Sequence, residues 1–248
     1  MVNRIPIQTM AARLLEGLFP DTCCQSRLPA DTGWPLCRPC LADLRANDAC
    51  CARCAIPLPP AAGAASGRYC GACLRAPPPF QRVVAPWLYS EELAYLLPRW
   101  KYGGERRLTA LLAGLWLQRV PAPGGVDLML PVPLHWRRLW HRGFNQSELL
   151  CHRLRRACPA LAAVPVEHRL VRRQRATAPQ SGLTAAHRAG NLRRAFTVQG
   201  ACANLRIAIV EDVLTTGATA AALADALREA GAGHVEVWCL ARTPAPGE

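Results

Sequence analysis

The stretch from Leu205 to Ala241 leaves this chain little choice of fold. Leu205 to Val210 is an apolar run of strand length, Thr219 to Ala230 is an alanine-rich helix stopped by Gly231, and His234 to Ala241 returns to β-branched and aromatic residues. Strand, crossover helix and strand make a βαβ unit, and such units build parallel sheets. The expected fold class is α/β, an open parallel sheet flanked by helices. Upstream, Leu93 to Leu117 reads as helical with a break at Gly103-Gly104, and Pro121 to Gly125 as a linker. Asp127 to Leu130 is a short strand and Gln146 to Arg156 a further helix.

Ligands of open α/β sheets sit at the carboxyl ends of strands, where the turn after Val210 falls. Thr215, Thr216 and Thr219 offer hydroxyl donors there, Gly217 lets backbone amides approach closely, and the helix that follows aims its positive end at the turn. That arrangement holds a phosphate monoester without a lysine. Glu211 and Asp212 place two carboxylates just before it, suited to vicinal ribose hydroxyls and to a sugar that becomes cationic at its anomeric carbon. Residues 210 to 219, with Val213, Leu214 and Ala218 as the spacers, thus read as a site for a phosphorylated ribose; a bare helix cap is the plainer alternative. An apolar strand, two acids, three spacers and Thr-Gly-x-Thr resemble the signature of type I phosphoribosyltransferases.

A second strand–loop–helix junction runs from Pro131-Val132-Pro133 through Arg137, Arg138 and Arg142-Gly143-Phe144-Asn145-Gln146. Arginines there are suited to forking onto a diphosphate. Ten arginines against Glu148 and Glu167 between His135 and Arg175 favour a phosphate-facing surface, and the formal charge of +13 fits a polyanionic partner. Lys101 is the only lysine beside 29 arginines, which marks it either as a ligand-phosphate contact or as an accident of composition. Trp34, Trp136, Trp140 and Phe144 have the chemistry to stack bases, but packing is the commoner use of aromatic side chains and is the expectation here. Arg172 to Phe196 is a long polar segment with little core-facing periodicity, as a lid or binding loop would be.

Nine of the 13 cysteines lie between Cys23 and Cys73. Residues 1 to 20 carry charges and lack the apolar run of a secretory signal, and no stretch has the length and apolarity of a membrane span, so the expected compartment is the cytoplasm, without membrane insertion. Thiols stay reduced there, and the cysteines argue for metal rather than disulfides. Cys51-x-x-Cys54 and Cys70-x-x-Cys73 bring four thiolates to one structural zinc ion. Cys37-x-x-Cys40 is a third pair whose partner is incomplete, since Ser26 follows Cys23-Cys24-Gln25; Cys37, Cys40 and one or both of Cys23 and Cys24 are the candidate ligands of a second site. Cys151, Cys158, Cys202 and Cys239 fit buried small residues. The expected organisation is a lead-in helix over 1–20, a cysteine-rich zinc module over 21–80 ending at Pro77-Pro78-Pro79, and a phosphoribosyltransferase-like domain over 81–248.

The cysteine-rich front, HRGFNQSELL at 141–150, RATAPQSGL at 175–183 and NLRRAF at 191–196 together resemble the ComF/GntX family of competence proteins, over almost the whole chain. The resemblance implies that Glu211, Asp212 and Thr215 to Thr219 bind phosphoribosyl pyrophosphate with Mg²⁺. It places Arg175, Thr177, Gln180 and Asn191 in a mobile hood over the ligand, with Arg175 joining the two acids in catalysis, and Ser26 where the family carries cysteine. It also implies a role with incoming single-stranded DNA during natural transformation, alongside a competence helicase or recombination partner. Two readings follow: a phosphoribosyltransferase whose acceptor no residue of the sequence names, or a non-catalytic zinc and arginine-rich module that binds single-stranded DNA and retains the phosphoribosyl site.

Overall fold

Buried parallel strands read as continuous apolar runs because both faces are covered, and the longest such runs here form the middle of the sheet. The structure, a computed structural model, describes residues 22–59, 67–173 and 195–244. In chain order these form α1 (Arg38–Ala42), α2 (Gly71–Arg75), β1 (Arg82–Val84), β2 (Trp87–Leu88), α3 (Glu91–Tyr102), α4 (Leu108–Arg119), β3 (Leu128–Pro131), α5 (Trp136–Arg142) and α6 (Gln146–Ala157). After a 3₁₀ turn at Pro159–Leu161 come β4 (Val171–Arg173), β5 (Phe196–Val198), β6 (Arg206–Leu214), α7 (Ala218–Glu229) and β7 (His234–Arg242).

The central sheet runs β1-β7-β6-β3, with β2 also paired to β7, and every pairing in it is parallel. β6, α7 and β7 are the anticipated βαβ unit. Side chains of β6 alternate between two cores up to Val210: Ala208 and Val210 pack with α3, α4 and α6, while Ile207 and Ile209 pack with α7. Past the acid pair the phase shifts, with Val213 joining the first core and Leu214 the second. β4 and β5 form a separate antiparallel ribbon.

The indoles of the core each satisfy their N–H, as buried tryptophans generally do. Trp116 donates to the Cys239 carbonyl at 3.1 Å, Trp87 to the Leu115 carbonyl at 3.1 Å, and Trp100 to Thr109 Oγ1 at 2.9 Å. The helical stretch from Leu93 divides where expected. A Cβ on Gly103 would lie 2.7 Å from the Arg99 carbonyl, and Gly104 has φ +70°, so the two glycines permit the reversal that leaves Lys101 and Tyr102 at a helix end.

The structure corrects several boundaries. β6 extends through Leu214, four residues beyond the expected strand, because β7 keeps pairing with it as far as Leu214↔Arg242. Residues 136–142, read as loop, form the helix α5, which has no buried residue and therefore no hydrophobic periodicity to reveal it. Apart from these corrections, Cys23, Leu36, Cys37, Cys40 and Leu44 of the cysteine-rich segment pack in one core cluster with residues of α3 and α4. The lead-in segment 1–20 lies outside the described residues, as do Arg175, Thr177, Gln180 and Asn191. Among the described residues no helix is long and apolar enough to cross a membrane.

Candidate functional site

A cleft of about 250 Å³ opens at the carboxyl ends of β3 and β6. Its floor is Glu211 and Asp212; Val132 and Leu134 follow β3, Arg138 and Arg142 come from α5, Gln146 and Ser147 from α6, Lys101 and Tyr102 from α3, Arg173 from β4 and Thr219 from α7. Four cations thus surround two acids, in a place where an anion gains from charge-assisted hydrogen bonds.

Asp212 is fixed from three sides. Lys101 Nζ lies 2.9 Å from Oδ2, Gln146 Nε2 donates to the same oxygen at 2.9 Å, and the Val213 amide donates to Oδ1 at 2.7 Å. Gln146 is held in turn by Arg142, whose guanidinium donates to its Oε1 and lies 4.7 Å from the centre of the Tyr102 ring. Gln146 reaches Asp212 because Asn145 caps α6, its Oδ1 accepting from the Ser147 amide at 3.0 Å. The junction at HRGFNQS thus joins the end of α5, closed by Gly143, to the start of α6, capped by Asn145.

Burial pushes the Glu211 carboxyl up to about 8, with the neighbouring Asp212 adding to the rise and Lys101 and Arg173 opposing it. The folded protein thus holds at neutral pH a proton that an unfolded chain releases above the ordinary carboxyl range. Stability contributed by this group is present at low pH and is lost as pH climbs toward about 8. Glu211→Gln cannot ionise, so its melting temperature is expected to gain on that of the wild type progressively from pH 5 to 8. A gap that stays constant across this range contradicts the raised value.

The turn Thr215-Thr216-Gly217 is exposed or half-buried, with Gly217 in the left-handed region (φ 75°, ψ 2°) as N-cap of α7 and Thr216 Oγ1 accepting from the Ala218 amide at 3.3 Å. Its outer wall is anchored by Arg242, a buried charge at the end of β7. Arg242 Nη1 donates to the carbonyls of Leu214 at 2.9 Å, of Thr215, and of Thr243 at 2.9 Å, while Nε donates to the Cys54 carbonyl at 3.1 Å. One side chain ties the turn to the cysteine cluster.

That cluster is Cys51, Cys54, Cys70 and Cys73, whose sulfurs all lie within 4.8 Å of one another. Cys54 and Cys70 are 3.7 Å apart, against roughly 3.8 Å for the edge of a tetrahedron with metal–sulfur bonds of about 2.3 Å. The Cys70 amide donates to Cys51 Sγ at 3.3 Å and the Cys73 amide to Cys70 Sγ at 3.4 Å, as thiolate sulfurs require. Burial disfavours the Cys51 thiolate, but amide hydrogen bonds from Cys54 and Cys70 outweigh it and bring the thiol down to about 7. The donor set and spacing fit zinc. Cys23, Cys37 and Cys40 form a second group. Ser26 Oγ lies 3.3 Å from Cys37 Sγ and the Ser26 amide donates to Cys23 Sγ at 3.4 Å, so the serine borders the position a fourth sulfur would take. Cys24 stays outside that group; its carbonyl accepts from Arg99.

Of the residues singled out in the sequence, the structure brings Lys101, Arg142, Glu211, Asp212 and Thr219 to one cleft. Val213 and Leu214 are buried in the strand, which leaves only their backbone for a ligand. Arg175 and Gln180 lie outside the described residues. Arg138 and Arg173, two of the arginines read as facing phosphate, line the cleft as well, and Tyr102, Leu134, Gln146 and Ser147 do so without having been given a ligand role. The available signal was the capped helix start at Asn145-Gln146. The aromatic residues divide: Phe144 is buried and Trp34 packs against Gly114, whereas Trp136 and Trp140 are exposed, against the packing expectation.

No family model matches the chain. It is 38% identical over 231 residues to the "DNA utilization protein YhgH" of Salmonella typhimurium and 37% identical over 231 residues to the protein of that name in Escherichia coli K12, in each case over 90% of this chain and 98% of the relative. It is 33% identical over 184 residues to "Competence protein F" of Haemophilus influenzae, over 71% of this chain and 79% of that protein. With these relatives matched along most of their length, the chain belongs to the ComF family.

Proposed function

We propose that this protein binds phosphoribosyl pyrophosphate together with Mg²⁺ and acts in handling single-stranded DNA, its zinc module over 21–80 bracing a phosphoribosyltransferase-like domain over 81–248. The observation that carries the ligand is the junction of two features at the end of β6: an acid pair, Glu211 and Asp212, suited to a ribose diol and a glycine turn at a helix N-terminus suited to its 5-phosphate. Lys101, Arg138, Arg142 and Arg173 supply the positive charge that a diphosphate needs on the other side of the ribose. Asp212 is already engaged by Lys101 and Gln146, and among the described residues no carboxylate cluster of three or more forms, so Mg²⁺ would take most of its oxygen ligands from the diphosphate. When bound it neutralises diphosphate charge; the chain's own part is to hold the ribose and aim the leaving group.

The DNA half rests on relatives named for DNA utilization and competence, and on the basic charge of this chain. Titration with three probes tests the ligand half. Phosphoribosyl pyrophosphate with Mg²⁺ is expected to bind more tightly than ribose 5-phosphate or pyrophosphate, since only it spans turn, acid pair and arginines. Equal affinity for pyrophosphate alone would reduce the cleft to a nonspecific anion site.

Zinc in the four-cysteine cluster is the structural metal of this reading, with the three-cysteine group a weaker site. Ser26→Cys is expected to raise the zinc that survives dialysis from one toward two ions per chain, measured by metal analysis. An unchanged count means that the serine does not border a metal position.

A further inference from the structure

The helix α5 is unusual in burying no side chain at all. Trp136, Leu139 and Trp140 are exposed, Trp140 at 85%, and Arg137, Arg138 and His141 lie between and beside them, also exposed. Seven residues without a buried face do not hold a helix through packing; the caps do, with His135 Nδ1 accepting from the Arg137 amide and Gly143 closing the other end at φ 76°. Elsewhere in the molecule tryptophans fill the core, which makes two bare indoles on one short helix a feature that folding does not account for.

Trp136 and Trp140 are four residues apart, so they share a helix face with an axial offset of about 6 Å. The Arg137 guanidinium lies 5.2 Å from the centre of the Trp136 ring, and Arg142, at the end of the same helix, lies over Tyr102, itself exposed. Arg138, Arg142 and Tyr102 also line the cleft, so the strip of aromatic rings and guanidinium groups runs onto its rim. Neutral π-faces separated by fixed positive charge complement one kind of polymer: bases that are free to stack, joined by phosphates. Double-stranded DNA hides its bases, and an acidic peptide would use the arginines without needing the indoles.

We propose that α5 is a stacking platform for single-stranded DNA, with Trp136 and Trp140 taking bases and Arg137, Arg138 and His141 taking the backbone beside them; this rests on the DNA-handling reading above. The platform leads the strand toward the phosphoribosyl cleft and places its backbone phosphates where Arg138 and Arg142 serve both ligands. Strand and phosphoribosyl pyrophosphate therefore meet at the same two arginines.

The test uses the full zinc-loaded chain and a fluorescein-labelled poly-dT strand, read by anisotropy across a salt series. Trp136→Ala with Trp140→Ala is expected to weaken binding roughly ten- to hundredfold while leaving the salt slope unchanged, because stacking is lost and phosphate contacts remain. Phenylalanine at both positions should restore most of the affinity, and the melting temperature should not move, since neither ring is buried. A duplex of the same length should bind more weakly and ignore the substitutions. If wild type binds the strand and the double alanine variant binds it equally well, the platform is refuted while the DNA reading stands. If wild type shows no salt-dependent binding, the DNA reading fails and the platform with it. A melting temperature lowered by the substitutions, or a dimer lost with them in sedimentation, assigns the indoles to packing or to a second copy and overturns the proposal.

Discussion

Gly217→Val is expected to weaken phosphoribosyl pyrophosphate binding at least about a hundredfold while leaving a folded protein. Gly217 occupies φ 75°, ψ 2° between the Thr215-Thr216 step and the first residue of α7. A Cβ there meets nothing within 4 Å, so the cost is conformational and amounts to roughly 1–2 kcal/mol, more for a β-branched residue. A globular domain tolerates that, but the turn does not keep its shape. Valine relieves its strain by rotating the adjacent peptide units, the ones whose amides the proposed phosphate would use. Each charge-assisted hydrogen bond lost there is worth about 1.5–3 kcal/mol, so two of them give the hundredfold. Calorimetric titration beside a thermal melt separates the effects; full affinity in a folded Gly217→Val variant would mean that the turn does not hold the phosphate.

Cys70→Ser is expected to release the metal of the four-cysteine cluster and to reach the cleft as well. Structural zinc sites carry on the order of 10 kcal/mol of metal-binding free energy that is coupled to folding. Here the coupling has a physical route, because Arg242 donates both to the Cys54 carbonyl and to the carbonyls of Leu214 and Thr215. A slack knuckle lets that guanidinium go, and the carbonyls of Leu214 and Thr215 lose the charged donor that held them. The variant should lose zinc, melt much lower and bind phosphoribosyl pyrophosphate poorly. Arg242→Met separates the steps: it should keep zinc and still lose ligand affinity, at a stability cost of about 3 kcal/mol for the broken hydrogen bonds of a buried network. A variant at Arg242 that binds ligand normally would break the connection between cluster and cleft.

How legible each feature is in the sequence follows from how its interactions are encoded. The βαβ unit is legible because Leu205 to Val210 is an uninterrupted apolar run, His234 to Ala241 is rich in β-branched and aromatic residues, and the helix between them ends at a glycine. The acid pair and turn were legible because their chemistry is contiguous, and the zinc knuckle because its spacing is. Lys101 stands out in the sequence only as a compositional oddity; its ion pair with Asp212 spans 111 positions and no local pattern announces it. The Gln146 contact to Asp212 is also non-local, although the helix expected from Gln146 is the element that delivers it. α5 escaped because period is the signal for helices and a helix with no buried face has none. The tryptophans upon it were expected in the core on general grounds, and for Trp34 and Phe144 the expectation held. Arg242 gave no sign at all, since its importance lies in carbonyls, which every residue has.

The most direct test of the account is calorimetric titration of the zinc-loaded protein with phosphoribosyl pyrophosphate and Mg²⁺, set against a variant carrying Asp212→Ala and Thr216→Ala. Saturable one-site binding by the wild type and none by the variant at the same concentrations, with both folded, is the expected result. Absence of binding by the wild type, or equal binding by the two, would contradict it and leave the cleft without its proposed ligand.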